Sequence, residues 1–255
     1  MTSYDDPAEL ADLVASAPRP LLIGLDVDGV LAPLVDHARD AALLAGTFDA
    51  VSAVAQLEGV HVAVASGRSL DGLSQFGFGA DVIVIASHGM ELRERPMEIL
   101  TDTERARLAA LDHLTSAAVE RAGVGAWIER KPASVVLHVR QVGRELGREA
   151  LDSLRADAEH IDGASMKAGS NVLELFARHA DKGTALVALS ARLSSATTVF
   201  VGDDITDEDA FARLGPGDVA IKVGDSPTIA THRLRDPAAV LAWLLALTGA
   251  QKKDD

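Results

Sequence analysis

Acidic side chains are concentrated in residues 202–211, which include four aspartates and one glutamate. This stretch follows the apolar residues 198–201, a pattern that predicts a buried strand ending at Gly202. Carboxylates crowded at a strand end repel one another, and a bound divalent cation would offset the repulsion, since Mg²⁺ prefers oxygen ligands. The alternative is an acidic helix start, because the helix dipole favours carboxylates such as Asp207 in the first turn.

A second pair of carboxylates, Asp26 and Asp28, follows the apolar residues 21–25, and Gly29 supplies a turn. Ligands bind at the carboxyl ends of strands in open α/β sheets. There, one aspartate can attack phosphorus as a nucleophile, and the other can transfer protons as general acid and base. A lone Asp-x-Asp-Gly is equally compatible with a simple Asx turn.

Two further motifs suit phosphate chemistry. Residues 61–65 lead into Ser66-Gly67-Arg68, where a hydroxyl and backbone N–H groups can hold a phosphate oxygen. Lys182 precedes an apolar helix predicted over residues 184–193, and its ammonium can neutralise charge that builds up during phosphoryl transfer. Taken singly, Ser66 could be a helix N-cap and Lys182 a solvated surface residue.

The order of these four motifs resembles that of the haloacid dehalogenase-like superfamily of phosphatases. The resemblance implies that Asp26 is the nucleophile and that Asp28 is the general acid and base, whose backbone carbonyl also binds Mg²⁺. Ser66 and Lys182 match the phosphate-binding hydroxyl and lysine. Asp203 matches a Mg²⁺ ligand, Asp207 a water-mediated metal contact and Asp204 a supporting carboxylate. We therefore assign Asp26, Asp28, Asp203 and Asp207 to the metal site and expect Mg²⁺ as the cofactor.

Composition limits the class of protein. The chain of 255 residues can bury a substantial core, and it has no cysteine, which excludes disulfides and thiolate metal sites. The net charge of −14 argues against a nucleic-acid partner. Residues 1–20 are acidic and lack a sustained apolar core, and no stretch is long and apolar enough for a membrane helix. We expect a cytoplasmic monomer that binds neither membranes nor nucleic acids.

The order of elements predicts an α/β fold with two parts. Strands predicted at 21–25, 60–65, 81–86, 197–202 and 219–223 alternate with helices, of which those at 48–57 and 237–248 are the clearest, and this alternation is typical of parallel βαβ units. Residues 1–93 and 179–255 would form a Rossmann-like parallel-sheet core as in haloacid dehalogenase-like proteins. The tail 251–255 is predicted to be disordered.

The intervening residues 94–178 predict an inserted α/β cap domain. Thr101 and Glu104 form a capping box for a helix that reaches about Ala122. Strands at 125–130 and 134–140, a helix at 144–160 and strands at 164–168 and 171–177 then predict an antiparallel sheet that carries helices. The insertion lies between the serine and lysine motifs, where superfamily members with a large substrate-selecting cap carry it.

Charged side chains flank the apolar strands of this cap, and carboxylates beside basic groups can satisfy both ends of a sugar hydroxyl. Rim ion pairs of little consequence are the alternative. The pattern is similar to that of trehalose-6-phosphate phosphatases: Glu-x-Lys, a serine, His-x-Arg, and a glutamate eight residues before the lysine of Asp-Lys-Gly. The matching residues here are Glu129, Lys131, Ser134, His138, Arg140, Glu174 and Lys182.

That resemblance implies that Glu129, Lys131, Arg140 and Glu174 bind a phosphorylated disaccharide. The remaining substrate-binding residues would be Gly29, Gly67, Arg68 and His88, the last in a His-Gly-x-Glu segment similar to that family's hinge.

Three positions depart from the family pattern. Val30 replaces a threonine, Gly169-Ser170 replaces Gly-Lys, and Phe176-Ala177 replaces Arg-Pro. These changes bear on substrate affinity more than on the phosphoryl chemistry. A related phosphatase acting on a sucrose, mannosyl-glycerate or hexose phosphate is one alternative, and a non-catalytic regulatory protein on the same scaffold is another.

Overall fold

The fold comes from a computed structural model, which describes residues 3–35, 37–93, 100–178 and 181–250. The chain forms two compact units, Met1–Met97 together with Asp181–Asp255, and Glu98–Ala180. The predicted domain boundaries at 93/94 and 178/179 border residues outside the described ranges, and the predicted disordered tail lies outside them too. The assignment of the second unit as a substrate-selecting cap therefore stays a prediction.

The first unit contains a seven-stranded sheet in the order β11-β10-β9-β1-β2-β3-β4. Neighbouring strands are parallel except for β4, which is antiparallel to β3. The strands are β1 Leu21–Leu25, β2 Val60–Ala65, β3 Val82–Ala86, β4 Glu91–Leu92, β9 Thr197–Gly202, β10 Val219–Val223 and β11 His232–Leu234.

Helices cover both faces of this sheet because both faces are apolar. Alternate residues of β1 such as Leu21 and Ile23 pack on one face with Val51 and Trp243. Those between them, such as Leu22, pack on the other face. The helices are α1 Pro7–Ala15, α2 Thr47–Ala55, α3 Leu70–Ser74, α6 Lys182–Leu193, α7 Ile205–Phe211 and α8 Pro237–Ala250, with 3₁₀ turns at Ala38–Asp40 and Ser87–Gly89.

The second unit is a four-stranded antiparallel sheet in the order β5-β6-β8-β7 that carries two helices. Its elements are α4 Asp102–Ala122, β5 Trp127–Lys131, β6 Ser134–His138, α5 Arg144–Ala158, β7 Ser165–Gly169 and β8 Val172–Phe176. Leu111 of α4 and Leu154 of α5 pack with Leu137, Leu173 and Leu175 of the strands. One face of the sheet thus builds a core with the helices, and the other face is left for polar side chains.

The predicted α/β architecture is confirmed, and the main differences lie at element ends. The strand predicted over 134–140 ends at His138, because Val142 N–H turns back to the carbonyl of Val139. The helix predicted from residue 184 already begins at Lys182. The helix α1 and the short edge strands β4 and β11 were not predicted. No helix within the described residues is long and apolar enough to cross a membrane.

Gly24, the fourth residue of β1, lets α6 approach the sheet closely. A methyl group added there would lie 2.8 Å from Phe200 Cδ2 and 2.9 Å from Leu186 Cδ1. We expect Gly24→Ala to lower the free energy of unfolding by about 1–2 kcal/mol, since overpacking of a filled core is destabilising. Urea denaturation measures this change.

Gly249 near the end of α8 is the matched control, because a methyl group there meets no atom within 4 Å. Gly249→Ala should leave stability unchanged or raise it by up to about 1 kcal/mol through helix propensity. A Gly24→Ala protein as stable as Gly249→Ala would contradict the close packing inferred for β1.

Candidate active site

The carboxyl ends of β1 and β9 bring the two acidic motifs together. These strands are parallel neighbours, with Leu25 opposite Val201, and the N–H of Asp26 donates to the carbonyl of Val201 at 3.0 Å. Asp26 and Asp203 therefore emerge from adjacent strands at one edge of the sheet. This is the edge at which open α/β sheets bind ligands.

Lys182 lies buried between two carboxylates from different motifs. Its Nζ is 2.9 Å from Asp26 Oδ2 and 2.8 Å from Asp207 Oδ1, and the lysine side chain is only 2% exposed. Burial by itself would lower the pKa of Lys182, but the charges of Asp207 and Asp26 outweigh it and raise that pKa. The ammonium is thus held as a permanent cation beside Asp26.

Asp181 fixes the position of Lys182 by capping α6. Its carboxylate accepts hydrogen bonds from the N–H groups of Gly183 at 2.7 Å and Thr184 at 3.1 Å, and Arg213 donates to its other oxygen at 2.6 Å. Lys182 is therefore the first residue of the helix rather than part of a loop before it. The sequence signal for this cap was the aspartate directly before Lys-Gly-Thr.

Asp207 is part of a helix start and also faces the buried lysine. It stands in the first turn of α7, where it forms a capping box with Asp204. Its Oδ2 accepts the N–H groups of Asp203 at 2.9 Å and Asp204 at 3.1 Å, while Oδ1 faces Lys182. The helix-start interpretation is therefore confirmed for this residue, and its predicted role at the metal site stays a prediction. Gly202 is required here, because a Cβ would lie 2.4 Å from Asp207 Cβ.

Asp203 lies against the loop that follows Asp26. Gly29 has a φ of +79°, and a Cβ there would lie 2.1 Å from Asp203 Oδ2, so the glycine leaves room for this carboxylate. The buried Lys222 donates to the backbone carbonyl of Asp203 and lies 3.5 Å from Glu208 Oε1. Lys222 was missed by the sequence reasoning, although a lone lysine within the apolar β10 was a signal for it.

The cluster carries excess negative charge. Burial raises the pKa of Asp26 well above its usual value, and Asp207 and Asp203 add to this, while Lys182 opposes it. Burial and the charges of Asp207 and Asp204 raise the pKa of Asp203 to about 7. Carboxyl groups crowded together in this way disfavour one another's ionised form, and pKa values shifted by burial and neighbouring charges cluster at functional sites.

A hard divalent cation fits this donor set. Among the described residues, Asp26, Asp203 and Asp207 each place a carboxylate oxygen within 4.8 Å of the other two. All three donors are oxygens, which suits Mg²⁺ and argues against a soft metal. Asp28 is outside this group of three, and its predicted contribution to the metal site stays a prediction.

The carboxylate of Asp28 is held by Arg68. Nε and Nη2 of Arg68 each donate to one oxygen of Asp28 at 2.6 Å, and Nη1 donates to the carbonyl of Ala38 at 2.7 Å. The guanidinium also lies over the ring of Phe76, 5.3 Å from its centroid. Arg68, predicted to bind substrate, thus orients the neighbouring carboxylate in this structure.

Ser66, Gly67 and His88 form a second part of the same sheet edge. Ser66 directly after β2 is buried, and its Oγ accepts the N–H of Arg68 at 3.2 Å, a bond that does not use the hydroxyl hydrogen. The N–H of His88 donates to the carbonyl of Ser66 at 3.0 Å. A Cβ on Gly67 would lie 2.6 Å from His88 Nε2. His88 itself has a φ of +54°, uncommon for a residue other than glycine.

In the second unit, Lys131 and Glu174, two of the predicted sugar-binding residues, meet on the polar face of the sheet. Lys131 Nζ lies 3.0 and 3.1 Å from the two oxygens of Glu174, and Ser134 Oγ donates to Glu174 Oε1 at 2.6 Å. Lys131, Ser134 and Glu174 belong to three adjacent strands, and all three are largely buried. These three residues therefore form a buried, hydrogen-bonded polar cluster rather than an exposed ion pair at the rim.

Glu129 and Arg140 lie toward the other end of that unit. Glu129 Oε2 is 3.1 Å from Nε2 of His138, the residue that ends β6. Arg140 follows two residues later in an exposed turn instead of lying on the predicted strand. The structure thus joins Lys131 with Glu174, and Glu129 with His138, but places Arg140 beyond the strand.

The fold and the site define a haloacid dehalogenase-like protein, with an aspartate directly after one strand, a buried lysine and an acidic strand end at one sheet edge. The family model of trehalose-phosphatase matches residues 24–238. The chain therefore belongs to the trehalose-phosphatase family.

Known proteins of related sequence agree with this membership. The chain is 33% identical over 240 residues to the trehalose-phosphate phosphatase of Mycobacterium marinum, covering 88% of this chain and 60% of that protein. It thus spans about three fifths of the length of that relative. It is 29% identical over 251 residues to probable trehalose-phosphate phosphatase 4 of Oryza sativa subsp. japonica, covering 92% of this chain and 68% of that protein.

A solved structure shows the same fold. The C-terminal domain of the trehalose-6-phosphate phosphatase of C. albicans superposes with a TM-score of 0.82 over 98% of both chains, at 20% sequence identity. At that identity the likeness establishes the fold.

The ion pair of Asp181 and Arg213 predicts a dependence of stability on pH. Burial would raise the pKa of Asp181, but hydrogen bonds from Thr184 and Arg213 outweigh it and lower that pKa from 3.8 to about 2. The stabilisation from the ionised carboxylate is therefore complete above about pH 4 and is lost as the pH falls toward 2. We expect wild type to exceed Asp181→Asn in unfolding free energy at pH 6, with the gap reduced to about half at pH 3 and nearly closed at pH 2.

Asparagine retains a capping oxygen, so this variant isolates the charge. Urea denaturation at several pH values measures the gap, and Asp6→Asn, at a cap whose recorded donors are backbone N–H groups of Ala8 and Glu9, is the control. A gap for Asp181→Asn that does not change between pH 6 and pH 3 would exclude the charge effect.

Proposed function

We propose that this protein is a Mg²⁺-dependent phosphatase that hydrolyses trehalose 6-phosphate to trehalose and inorganic phosphate through an aspartyl-phosphate at Asp26. The observation that carries the proposal is the buried Lys182 ammonium, shared between Asp26 and Asp207. Such a cation beside a carboxylate stabilises both the nucleophile and the phosphoryl group that it attacks. Family membership supports the choice of trehalose 6-phosphate.

The first step is attack of an Asp26 carboxylate oxygen on phosphorus. Val27 N–H donates to Asp26 Oδ1 at 2.7 Å and Lys182 faces Oδ2, so the carboxylate is held in one orientation. As the bond to the sugar oxygen breaks, Asp28 donates a proton to that oxygen. Ser66 donates its hydroxyl hydrogen to a phosphoryl oxygen, and Lys182 neutralises the charge that develops.

In the second step Asp28 takes a proton from the attacking water, which releases phosphate and restores Asp26. Both Asp28 oxygens accept hydrogen bonds from Arg68 in this structure, so these proton transfers require that at least one of those bonds break. A divalent cation held by Asp26 and Asp203, with Asp207 in support, would supply further charge neutralisation at the phosphoryl oxygens.

Sugar recognition is assigned to the polar face of the second unit. Glu174 accepts hydrogen bonds from Lys131 and Ser134, and a cluster of donors and acceptors fixed in this way can exchange partners with the hydroxyls of a disaccharide. Glu129 and Arg140 are the further proposed sugar ligands, and Gly29, Gly67, Arg68 and His88 remain proposed substrate-binding residues. A cytoplasmic location and a monomeric state also stay predictions.

The test of the function is phosphate release from trehalose 6-phosphate, sucrose 6-phosphate, glucose 6-phosphate and p-nitrophenyl phosphate, each with Mg²⁺ and with EDTA. We expect a marked preference for trehalose 6-phosphate and loss of turnover with EDTA, since the carboxylates then repel the substrate. Metal-dependent activity on the other esters alone would exclude trehalose 6-phosphate as the substrate but would support the metal-dependent phosphatase mechanism. No activity from folded protein would favour a non-catalytic role.

The nucleophile is tested by Asp26→Asn, which removes the attacking carboxylate while keeping the shape of the side chain. We expect less than about 1% of wild-type turnover on every ester, since covalent catalysis needs the ionised oxygen. Asp209→Asn, an exposed change in the same acidic stretch, should keep its activity. Thermal unfolding verifies that both variants are folded, and activity of Asp26→Asn above that limit would exclude Asp26 as nucleophile.

A further inference from the structure

Two aromatic rings stack on the polar face of the second unit, and neither belongs to the residues predicted to bind the sugar. The rings of Trp127 and His138 have centroids 3.8 Å apart and planes inclined by 2°. The two residues are directly opposite each other where β5 pairs with β6. His138 is fixed in turn by Glu129, whose Oε2 lies 3.1 Å from Nε2. The indole is thus supported from one side by a ring that is itself held in place.

Strand geometry places this stack on the same face as the Lys131 cluster. Side chains alternate along a strand, so Trp127, Glu129 and Lys131 of β5 share one face. The residue between the first two, Ile128, packs with the core formed by α4 and α5 on the opposite face. Lys131 is four positions after Trp127, which is about 13 Å along β5.

The free side of the indole is open to solvent. Trp127 is 48% exposed, whereas the other tryptophan, Trp243, is fully buried in the first unit. Since His138 covers one face of the indole ring, the exposure falls on the opposite face and the edges. A flat, rigid aromatic surface beside hydrogen-bonding side chains is suited to a pyranose ring, whose C–H groups make one face apolar while its hydroxyls point outward.

We propose that Trp127, supported by His138, is a stacking platform for one glucose ring of the disaccharide and determines specificity for a disaccharide phosphate. The inference rests on the proposed function and extends it. A single pyranose ring bound at Lys131 and Glu174 does not span the distance to Trp127, whereas a second ring extends toward it. Trp127 therefore contributes to binding of trehalose 6-phosphate and not of glucose 6-phosphate.

Steady-state kinetics test the platform. Trp127→Ala should raise the KM for trehalose 6-phosphate about tenfold with kcat changed less than twofold, because the stacking is made in substrate and transition state alike. For glucose 6-phosphate and p-nitrophenyl phosphate, the KM and kcat of Trp127→Ala should stay within twofold of the wild-type values. Trp127→Phe keeps a flat apolar surface and should recover most of the affinity. Leu146→Ala, which alters a side chain of similar exposure on α5, should change none of these values.

Intrinsic fluorescence gives a readout that does not depend on turnover. The chain has two tryptophans, so titration of wild type with neutral trehalose should change the emission of exposed Trp127, and Trp127→Phe should abolish that change. Glucose at equal concentration should have a smaller effect.

The outcomes separate the two proposals. A wild type that releases no phosphate from trehalose 6-phosphate overturns the proposed function, and the titration still tests the sugar platform. A wild type that does hydrolyse it, with an unchanged KM in a folded Trp127→Ala variant, overturns the platform alone. A trehalose-induced change of emission that persists in Trp127→Phe would also overturn it.

Discussion

The structure of the site depends on one buried cation, the ammonium of Lys182, held between Asp26 and Asp207. A charge removed from water must be matched by charges of opposite sign at short range, or it destabilises the fold. The residues around Lys182 hold its ammonium at this short distance from both carboxylates. Asp181 fixes the start of α6, and Gly24 lets α6 lie close enough to β1 for its first residue to reach the end of that strand.

The second unit has an antiparallel sheet with one apolar face and one polar face. Its helices cover one face, and leucines from α4, α5 and the strands exclude water there. The opposite face can then carry Lys131, Ser134 and Glu174, largely buried but with their polar atoms paired. Paired polar groups are stable within a face and remain able to exchange partners with ligand hydroxyls.

Much of the fold was predictable because its determinants are local. Apolar runs such as residues 219–223 gave strand positions, and the capping box at Thr101 and Glu104 located the start of α4. Errors occurred where a tertiary contact sets the boundary. The beginning of α6 at Lys182 depends on an Asp181 carboxylate that Arg213, distant in sequence, also binds. The short edge strands β4 and β11 have no apolar period of their own and form through pairing with longer neighbours.

The sequence by itself determined which groups can do chemistry: two aspartates after one strand, a serine, a lysine and an acidic strand end, in an order that a parallel sheet brings to one edge. The sequence did not determine which of these side chains contact one another, because those contacts depend on how the helices pack on the sheet. Only the tertiary structure decided that Lys182 bridges Asp26 and Asp207, that Arg68 holds Asp28, and that Lys222 lies beneath Asp203. These contacts depend on close packing. Asp203 fits against Gly29, and Asp207 against Gly202, because neither glycine has a Cβ.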